Sequence, residues 1–282
     1  MEIVFISVVL GFLIGVILAL TGAGATILAV PLLVFAFHLD VAEAAPIALL
    51  AVCMASTIAA VHAHLQGNVR YRAAGFIAGT GVIAAPMGLW LAHRLPNAPL
   101  TLLFASVLIV VAIDMWRHAE KQPGVIAKAA VQRESQLQAD ASLQPCQLEY
   151  NGVRLMWTWS CARALALAGA VMGFLSGLLG VGGGFVIVPA LKKVSNLPMQ
   201  SIVATSLAVI AVISAIGVIS ATAMNKLNWP IALAFTGGTF AGMLIGRIFA
   251  FRFTDARLQQ GFAIVAIGVA VAMIIRGISV LL

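Results

Sequence analysis

The residues with the clearest chemical potential lie in the stretch LLGVGGGFVIVP, residues 178–189, which holds four glycines within five positions. Glycine lets a bound group approach the backbone closely, and a helix that begins there presents unpaired N–H groups and the positive end of its dipole. Both features are typical of an anion site. Consecutive glycines also cost about 1 kcal/mol each relative to alanine inside a helix. The stretch therefore predicts a helix break with anion-binding chemistry.

A weaker copy of this stretch, LTGAGATILAVP, occupies residues 20–31. Small hydroxyl side chains that can donate hydrogen bonds to an anion accompany both copies, on the short segment after the first and on the helix that follows the second. A hydroxyl group in a helix also bonds its own backbone, so each has a purely structural interpretation as well. The predicted substrate-binding residues are Gly22, Gly24, Thr26, Gly180, Gly182, Gly183, Gly184, Thr205 and Ser206.

Other kinds of chemistry lack the residues they need. The apolar stretches contain no carboxylate for a metal or another cation, and Asp40 and Glu43 lie near the edge of one stretch. We find no Ser/His/Asp set, carboxylate pair or metal-ligand cluster of the kind that enzymes use. The cysteines, Cys53, Cys146 and Cys161, show no CxxC spacing and are expected to be free thiols. We therefore expect no cofactor, no metal and no enzymatic activity.

The elements that carry these residues must lie in a membrane. Of the 282 residues, 62% are hydrophobic and 9% are charged, whereas soluble domains have about 25% charged residues. Eight stretches without Asp, Glu, Lys or Arg are long enough to cross a bilayer core of about 30 Å as helices. The net charge of +7 lies in short loops, which indicates membrane anchoring and no nucleic-acid partner. We predict an all-α, multi-pass protein in contact with the lipid bilayer.

The chain contains an internal repeat. Residues 11–118 align with residues 169–276 at a constant offset of 158, without a gap and with 27 identities in 108 positions. Such repeats are typical of transporter folds. Between the copies, residues 114–163 hold 11 of the 25 charged residues. We predict a first membrane repeat at 1–118, a polar cytoplasmic connector at 119–162 and a second membrane repeat at 163–282.

A second set of glycines recurs at every fourth residue. This spacing places small residues on one face of a helix and lets a neighbouring helix approach closely. We predict a helix-packing role for Gly11, Gly15, Gly169, Gly173, Gly238, Gly242 and Gly246.

Two arrangements of the repeats are compatible with the sequence. If the chain turns at each glycine stretch, each half has five helical segments, the halves are inverted, and the Lys and Arg residues of the loops divide twelve against three. If each half crosses four times, the halves are parallel and the division is ten against five. The positive-inside rule favours the inverted arrangement, with both termini outside, while four crossings per half stay open.

Three segments together resemble the TauE/SafE sulfite exporter family, also called the TSUP family. They are GFLSGLLGVGGGFVIVPAL (173–191), VATSLAVI (203–210) and GGTFAGMLIGRIFAFRF (237–253). The resemblance covers both halves and leaves out only the connector. It implies a polytopic protein of tandem repeats in a prokaryotic inner membrane that moves small sulfur-containing anions, such as sulfite or organosulfonates, often outward.

The resemblance also bears on the site. It assigns Gly180, Gly182, Gly183 and Gly184 to the second glycine-rich break of the family, and Thr205 and Ser206 to its Thr-Ser pair. The first half departs from the pattern, since TGAGAT stands where a GxGGG-like run is usual and PIALL at 46–50 lacks a Thr-Ser pair. An asymmetric substrate site follows.

We therefore expect a secondary transporter of small inorganic or organosulfur anions that works by alternating access around two helix breaks. An anion-selective channel could use the same helix ends, and a non-transporting membrane scaffold could use the glycines only for packing. The direction of transport, the coupling ion and the assembly, including a homodimer, stay open.

Overall fold

The computed structural model describes residues 2–21, 26–65, 71–120, 159–184, 187–188, 190–191, 199–250 and 255–281. Within them it has nine α-helices with defined bounds and no strand. The helices of the first half are α1 Glu2–Thr21, α2 Thr26–Phe37, α3 Val41–Leu65, α4 Tyr71–Ala92 and α5 Asn97–Glu120. Those of the second half are α6 Trp159–Leu179, α7 Met199–Ala223, α8 Trp229–Ala250 and α9 Asp255–Leu281. The all-α prediction is confirmed.

The lengths and surfaces of the helices fit a bilayer. Helices α3, α4, α6, α7 and α8 are each long and apolar enough to cross a membrane over their described residues. The outer surface carries large apolar side chains, and Phe5, Ile83, Val110 and Leu167 are 67–72% exposed. In water such a surface would drive aggregation, whereas lipid tails solvate it. The chain is a multi-pass membrane protein.

Helix α2 is an exception in length. Its 12 residues span about 18 Å, which is too short for a bilayer core of about 30 Å. Its residues from Thr26 to Val34 are almost all buried among the other helices. A chain that turns at the first glycine stretch requires a separate helix after it, and α2 is that helix, buried within protein.

The helix boundaries repeat with the sequence. Helix α3 (41–65) shifted by the offset of 158 gives 199–223, which are the bounds of α7, and α4 (71–92) shifted in the same way gives those of α8. The start of α5 at Asn97 corresponds in the same way to the start of α9 at Asp255. The two copies therefore fold into the same succession of helices. The connector predicted at 119–162 lies almost wholly outside the described residues.

The first helix of each half packs against the other half. Helix α1 packs most extensively against α8 of the other half, and α6 packs in the same way against α4. A Cβ atom on Gly11 would meet the carbonyl oxygen of Phe235, and one on Gly169 would meet that of Ile77. Gly169 is the repeat equivalent of Gly11, and Phe235 is that of Ile77, since each pair differs by 158 positions. Each half therefore makes the same contact once. The contacts advance in the same direction along both helices of each pair, so the paired helices are parallel.

The glycines predicted to pack helices do so. Glycine Cα atoms of α1 and α8 lie against backbone atoms of the partner helix, with no space for a side chain. Such an approach allows Cα–H···O contacts worth about 0.5–1 kcal/mol each. The prediction is confirmed for Gly11, Gly15, Gly169, Gly173, Gly238 and Gly242.

Helices α3 and α7 meet at the centre and run in opposite directions. The Cys53 Sγ lies 3.8 Å from the Ala211 carbonyl oxygen, which belongs to its own repeat equivalent. Four residues earlier on α3, Leu49 lies against Gly217, six residues later on α7. Helices α5 and α9 also run in opposite directions, because Leu102 near the start of α5 lies beside Gly277 near the end of α9.

Polar groups anchor the turn between α2 and α3. The Asp40 carbonyl oxygen accepts hydrogen bonds from the backbone N–H groups of Glu43 and Ala44 at 3.0 and 2.9 Å, and these are the first backbone bonds of α3. From α5, Asn97 donates through Nδ2 to the Asp40 carboxylate at 2.5 Å and accepts from the Val41 N–H at 3.3 Å. The Asp40 carboxylate therefore joins the start of α3 to α5 through Asn97.

A basic residue binds the C-terminal end of α2, where this turn begins. The Arg276 guanidinium of α9 donates from Nη1 to the Val34 carbonyl oxygen at 2.8 Å. Val34 belongs to the last turn of α2, where free carbonyl groups and the negative end of the helix dipole favour a cation. Helix α2 is thereby tied to the second half.

Two of the three cysteines lie in the described residues. Cys53 is a free thiol, whereas Cys161 at the start of α6 is disulfide-bonded. Cys146 lies outside the described residues. The prediction of free thiols is therefore wrong for Cys161. The spacing of cysteines along a chain does not reveal which of them the fold brings within bonding distance.

Candidate functional site

The second glycine stretch interrupts the helical backbone, as predicted. Helix α6 ends at Leu179, and residues 180–183 form a bend and turn before helical backbone returns at Gly184. Gly180, Gly182 and Gly183 have φ angles of +72°, +72° and +73°. An L-amino acid with a side chain is strained in this left-handed region, so the sequence needs glycine at these three positions.

The break is buried between the two central helices. All of residues 180–184 are buried. A Cβ atom on Gly180 would lie 2.5 Å from the Cβ of Ala45 on α3. One on Gly182 would lie 2.6 Å from Val52 Cγ1 of α3 and 3.3 Å from Ile210 Cγ2 of α7. Val52 and Ile210 are repeat equivalents, so Gly182 lies beside the crossing of α3 and α7.

One face of α6, near its C-terminal end, contacts residues of the break. The Gly180 N–H donates to the Ser176 carbonyl oxygen at 2.9 Å, which closes the last turn of α6. One turn earlier, the Met172 side chain lies against Gly183, and its carbonyl oxygen is 3.3 Å from the Cβ position of Gly183. Residues four apart share a face of a helix, so Ser176 lies on the face that meets the break.

The predicted hydroxyl residues of the second half are buried on α7. Thr205 and Ser206 lie on α7 with 0% exposure. The Ser206 hydroxyl donates to the Val203 carbonyl oxygen of its own helix at 2.8 Å. The two residues lie about 12–14 Å along α7 from Ser214, at about 1.5 Å per residue. Their atoms are not among the nearest neighbours of Gly180, Gly182 or Gly183.

The site residues of the first half are described only in part. Thr26 is the first residue of α2 and is 5% exposed. Gly22 and Gly24 lie outside the described residues. Their assignment to the substrate site stays a prediction.

The structure adds two hydroxyl groups that the sequence reasoning missed. The Ser214 Oγ of α7 lies 3.3 Å from the Cβ position of Gly182. Ser214 is 0% exposed and Ser176 is 1% exposed, and neither hydroxyl has a hydrogen-bond partner within the described part of the chain. A signal for Ser214 was present, because Ser56 and Ser214 are one of the identities between the repeats.

The nearest described neighbours of the break are uncharged. The nearest atoms to its three left-handed glycines belong to Ala45, Val52, Met172, Ile210 and Ser214, none of which carries a charge. Among the described residues, no group of three or more His, Cys, Asp or Glu side chains could hold a metal ion. The polar groups known at the break are therefore backbone amides, carbonyls and hydroxyls.

A helical, multi-pass membrane protein with a buried helix break between equivalent helices of two repeats belongs to the class of membrane transporters built from internal repeats. Residues 7–273 match the profile of the family described as "Sulfite exporter TauE/SafE". The chain belongs to the TauE/SafE family.

Curated relatives are similar along almost the whole chain. A "Probable membrane transporter protein" of Xylella fastidiosa is 28% identical over 273 residues, which covers 94% of this chain and 93% of the relative. The "Probable membrane transporter protein YunE" of Bacillus subtilis is 27% identical over 281 residues, which covers 97% of this chain and 98% of the relative. No solved structure matches the chain.

Proposed function

We propose that this protein is a secondary transporter that exports small sulfur-containing oxyanions such as sulfite or organosulfonates. The observation that carries the proposal is the buried break at residues 180–184, whose left-handed glycines lie against α3 and α7. Backbone that leaves the helix at membrane depth is tolerated only inside protein or beside a polar cavity. The family description, a sulfite exporter, supplies the substrate class.

The chemistry of the break suits an anion better than a cation. Backbone N–H groups and serine hydroxyls are donors, and no carboxylate lies among the nearest atoms of the glycines. Buried donors in a low-dielectric environment favour a negative charge strongly. The substrate-binding set remains the one predicted above, with the backbone of Gly180, Gly182, Gly183 and Gly184 at its centre and with Gly22, Gly24 and Thr26 as the first-half members.

An inverted relation of the halves supports alternating access. Equivalent helices that run in opposite directions, as α3 and α7 do, are expected when a pseudo-two-fold axis lies in the membrane plane. Parallel repeats would place α3 and α7 in the same direction. Rocking of one half against the other around the α3–α7 crossing would then expose the break to each side in turn.

The inverted relation makes a prediction about sidedness. We expect a reporter fused to the N-terminus and one inserted in the connector at residues 121–150 to lie on opposite sides of the membrane. Paired alkaline phosphatase and green fluorescent protein fusions measure this. The C-terminal fusion serves as a control, because it should report the same side as the N-terminus. Reporters on the same side at the N-terminus and connector would establish the parallel arrangement instead.

Transport itself is tested with the purified full-length protein in liposomes. We expect saturable uptake of radiolabelled sulfite that excess unlabelled sulfite inhibits, because a bound oxyanion must occupy a limited number of sites. Liposomes without protein are the control. Uptake that rises linearly without saturation would indicate a channel, and no uptake above the control with sulfite, sulfonates or thiosulfate would contradict the proposed function.

A further inference from the structure

We propose that the hydroxyl groups of Ser214 and Ser176 donate hydrogen bonds to the transported oxyanion and set its affinity. This inference rests on the proposed function and names the side-chain donors of the same site. Neither residue belongs to the glycine stretch or to the Thr-Ser pair of the family motif. Their assignment comes from burial, position and the absence of partners within the described residues.

Buried hydroxyl groups in this protein normally have a partner. Ser56, Ser206 and Thr239 each donate to a carbonyl oxygen one turn earlier in their own helix, at 2.6–2.8 Å. This bond is the usual solution for a hydroxyl group in an apolar helix. A buried hydroxyl without one costs about 1–3 kcal/mol. An orphaned hydroxyl in a native structure therefore points to a ligand or a function.

Two of the three buried hydroxyl groups without a partner lie on helices that meet the break. In the described part of the chain these hydroxyls are Ser176 Oγ on α6, Ser214 Oγ on α7 and Thr236 Oγ1 on α8. Ser214 faces Gly182 from α7. Ser176 lies on α6 four residues before Gly180, on the face that carries Met172 against Gly183. Ser214 thus lies beside the break on α7, and Ser176 lies on the face of α6 that meets it.

The chemistry of the two groups defines what they can hold. A hydroxyl group donates one hydrogen bond, and donors from two helices can reach two oxygen atoms of one molecule. Sulfite and sulfonates present three oxygens that share one or two negative charges. Such a ligand can accept from both serines and from backbone N–H groups of the break at once. We infer that binding the oxyanion supplies the partners that both hydroxyls lack.

The repeat provides a matched control. Ser56 occupies the position in α3 that Ser214 occupies in α7, since 56 and 214 differ by 158. Both are serines, and Ser56 is 4% exposed. The Ser56 hydroxyl, however, donates to the Val52 carbonyl oxygen at 2.6 Å. Ser56→Ala therefore removes an equivalent atom that already has a partner.

The test measures sulfite uptake by the full-length protein in liposomes. We expect Ser214→Ala and Ser176→Ala each to raise KM for sulfite about tenfold or more, as loss of a hydrogen bond to a charged ligand does. Ser56→Ala should change KM by less than about threefold, because its hydroxyl bond is internal. Ser214→Thr, which keeps a hydroxyl group, should restore part of the affinity.

A second readout separates binding from structure. Without anion, Ser214→Ala should melt at or above the temperature of the unchanged protein, because it removes an unpaired buried hydroxyl. Its stabilisation by added sulfite should be smaller than in the unchanged protein. An unchanged KM in Ser214→Ala and Ser176→Ala would overturn the inference while the uptake of the unchanged protein upholds the proposed function. Absence of saturable uptake in the unchanged protein would overturn both.

Discussion

Alanine at position 182 is expected to abolish transport and to destabilise the protein by about 2–5 kcal/mol. Gly182 has φ +72°, which costs a residue with a Cβ about 1–2 kcal/mol. The new methyl group would also lie 2.6 Å from Val52 Cγ1, and overpacking of this kind costs about 1–3 kcal/mol. Thermal unfolding in detergent and sulfite uptake in liposomes measure the two effects.

A double-mutant cycle tests the contact between a side chain at position 182 and Val52. Val52→Ala removes the Cγ1 atom that a side chain at position 182 would meet, so Gly182→Ala should cost less in a Val52→Ala background than alone. The strain of the left-handed backbone remains and keeps the double variant below Val52→Ala in stability. Equal costs of Gly182→Ala in the two backgrounds would show that the contact with Val52 does not limit this position.

Gly238→Ala should destabilise the fold, whereas Gly237→Ala at the neighbouring position should not. A Cβ on Gly238 would meet the Val8 carbonyl oxygen and lie 3.0 Å from the Phe12 N of α1. A backbone carbonyl cannot move aside without shifting α1, so we expect a loss of about 1–3 kcal/mol. A Cβ on Gly237 has no atom within 4 Å, and alanine is a better helix former by about 1 kcal/mol.

Both glycines are in α8, so the pair controls for helix propensity and for position in the membrane. The measurement is the melting temperature together with the yield of monodisperse protein. Similar melting temperatures for the two alanine variants would contradict the close α1–α8 packing that joins the halves.

Much of the helical architecture could be predicted from the sequence, because a bilayer leaves few choices. Backbone groups in lipid must bond within the same segment, so long apolar stretches form helices. Consecutive glycines at 182–184 oppose a helix, and the break appears there. The constant offset of the repeat likewise fixed the correspondence of α3 with α7.

The packing of the helices could not be predicted in the same way. In a soluble protein an apolar face identifies the side that packs, but here Ile83 faces outward and Ile77 is buried on the same helix α4. Both lipid and protein interior accept apolar side chains, so sequence periodicity carries little information on which helices meet. The exchange of α1 and α6 between the halves therefore emerged only from the structure.

Hydroxyl residues in the central helices are equally hard to distinguish from the sequence. Thr205, Ser206, Ser214 and Ser56 all look alike in the sequence as small hydroxyl residues in apolar helices. Whether a hydroxyl bonds its own helix depends on its rotamer and its neighbours. Ser56 and Ser214 occupy equivalent positions, yet only Ser56 bonds the carbonyl oxygen one turn back. The repeat in the sequence identifies Ser56 and Ser214 as equivalent. It does not show which of the two hydroxyl groups bonds its own helix.

Counterflow distinguishes alternating access from diffusion through a channel. Liposomes that contain the purified protein are loaded with concentrated unlabelled sulfite and diluted into a trace of labelled sulfite. A carrier that exposes one site alternately to each side accumulates label transiently above equilibrium, and this overshoot is the result we predict. Label that only approaches equilibrium, at a rate independent of the internal sulfite, would contradict alternating access and identify a channel.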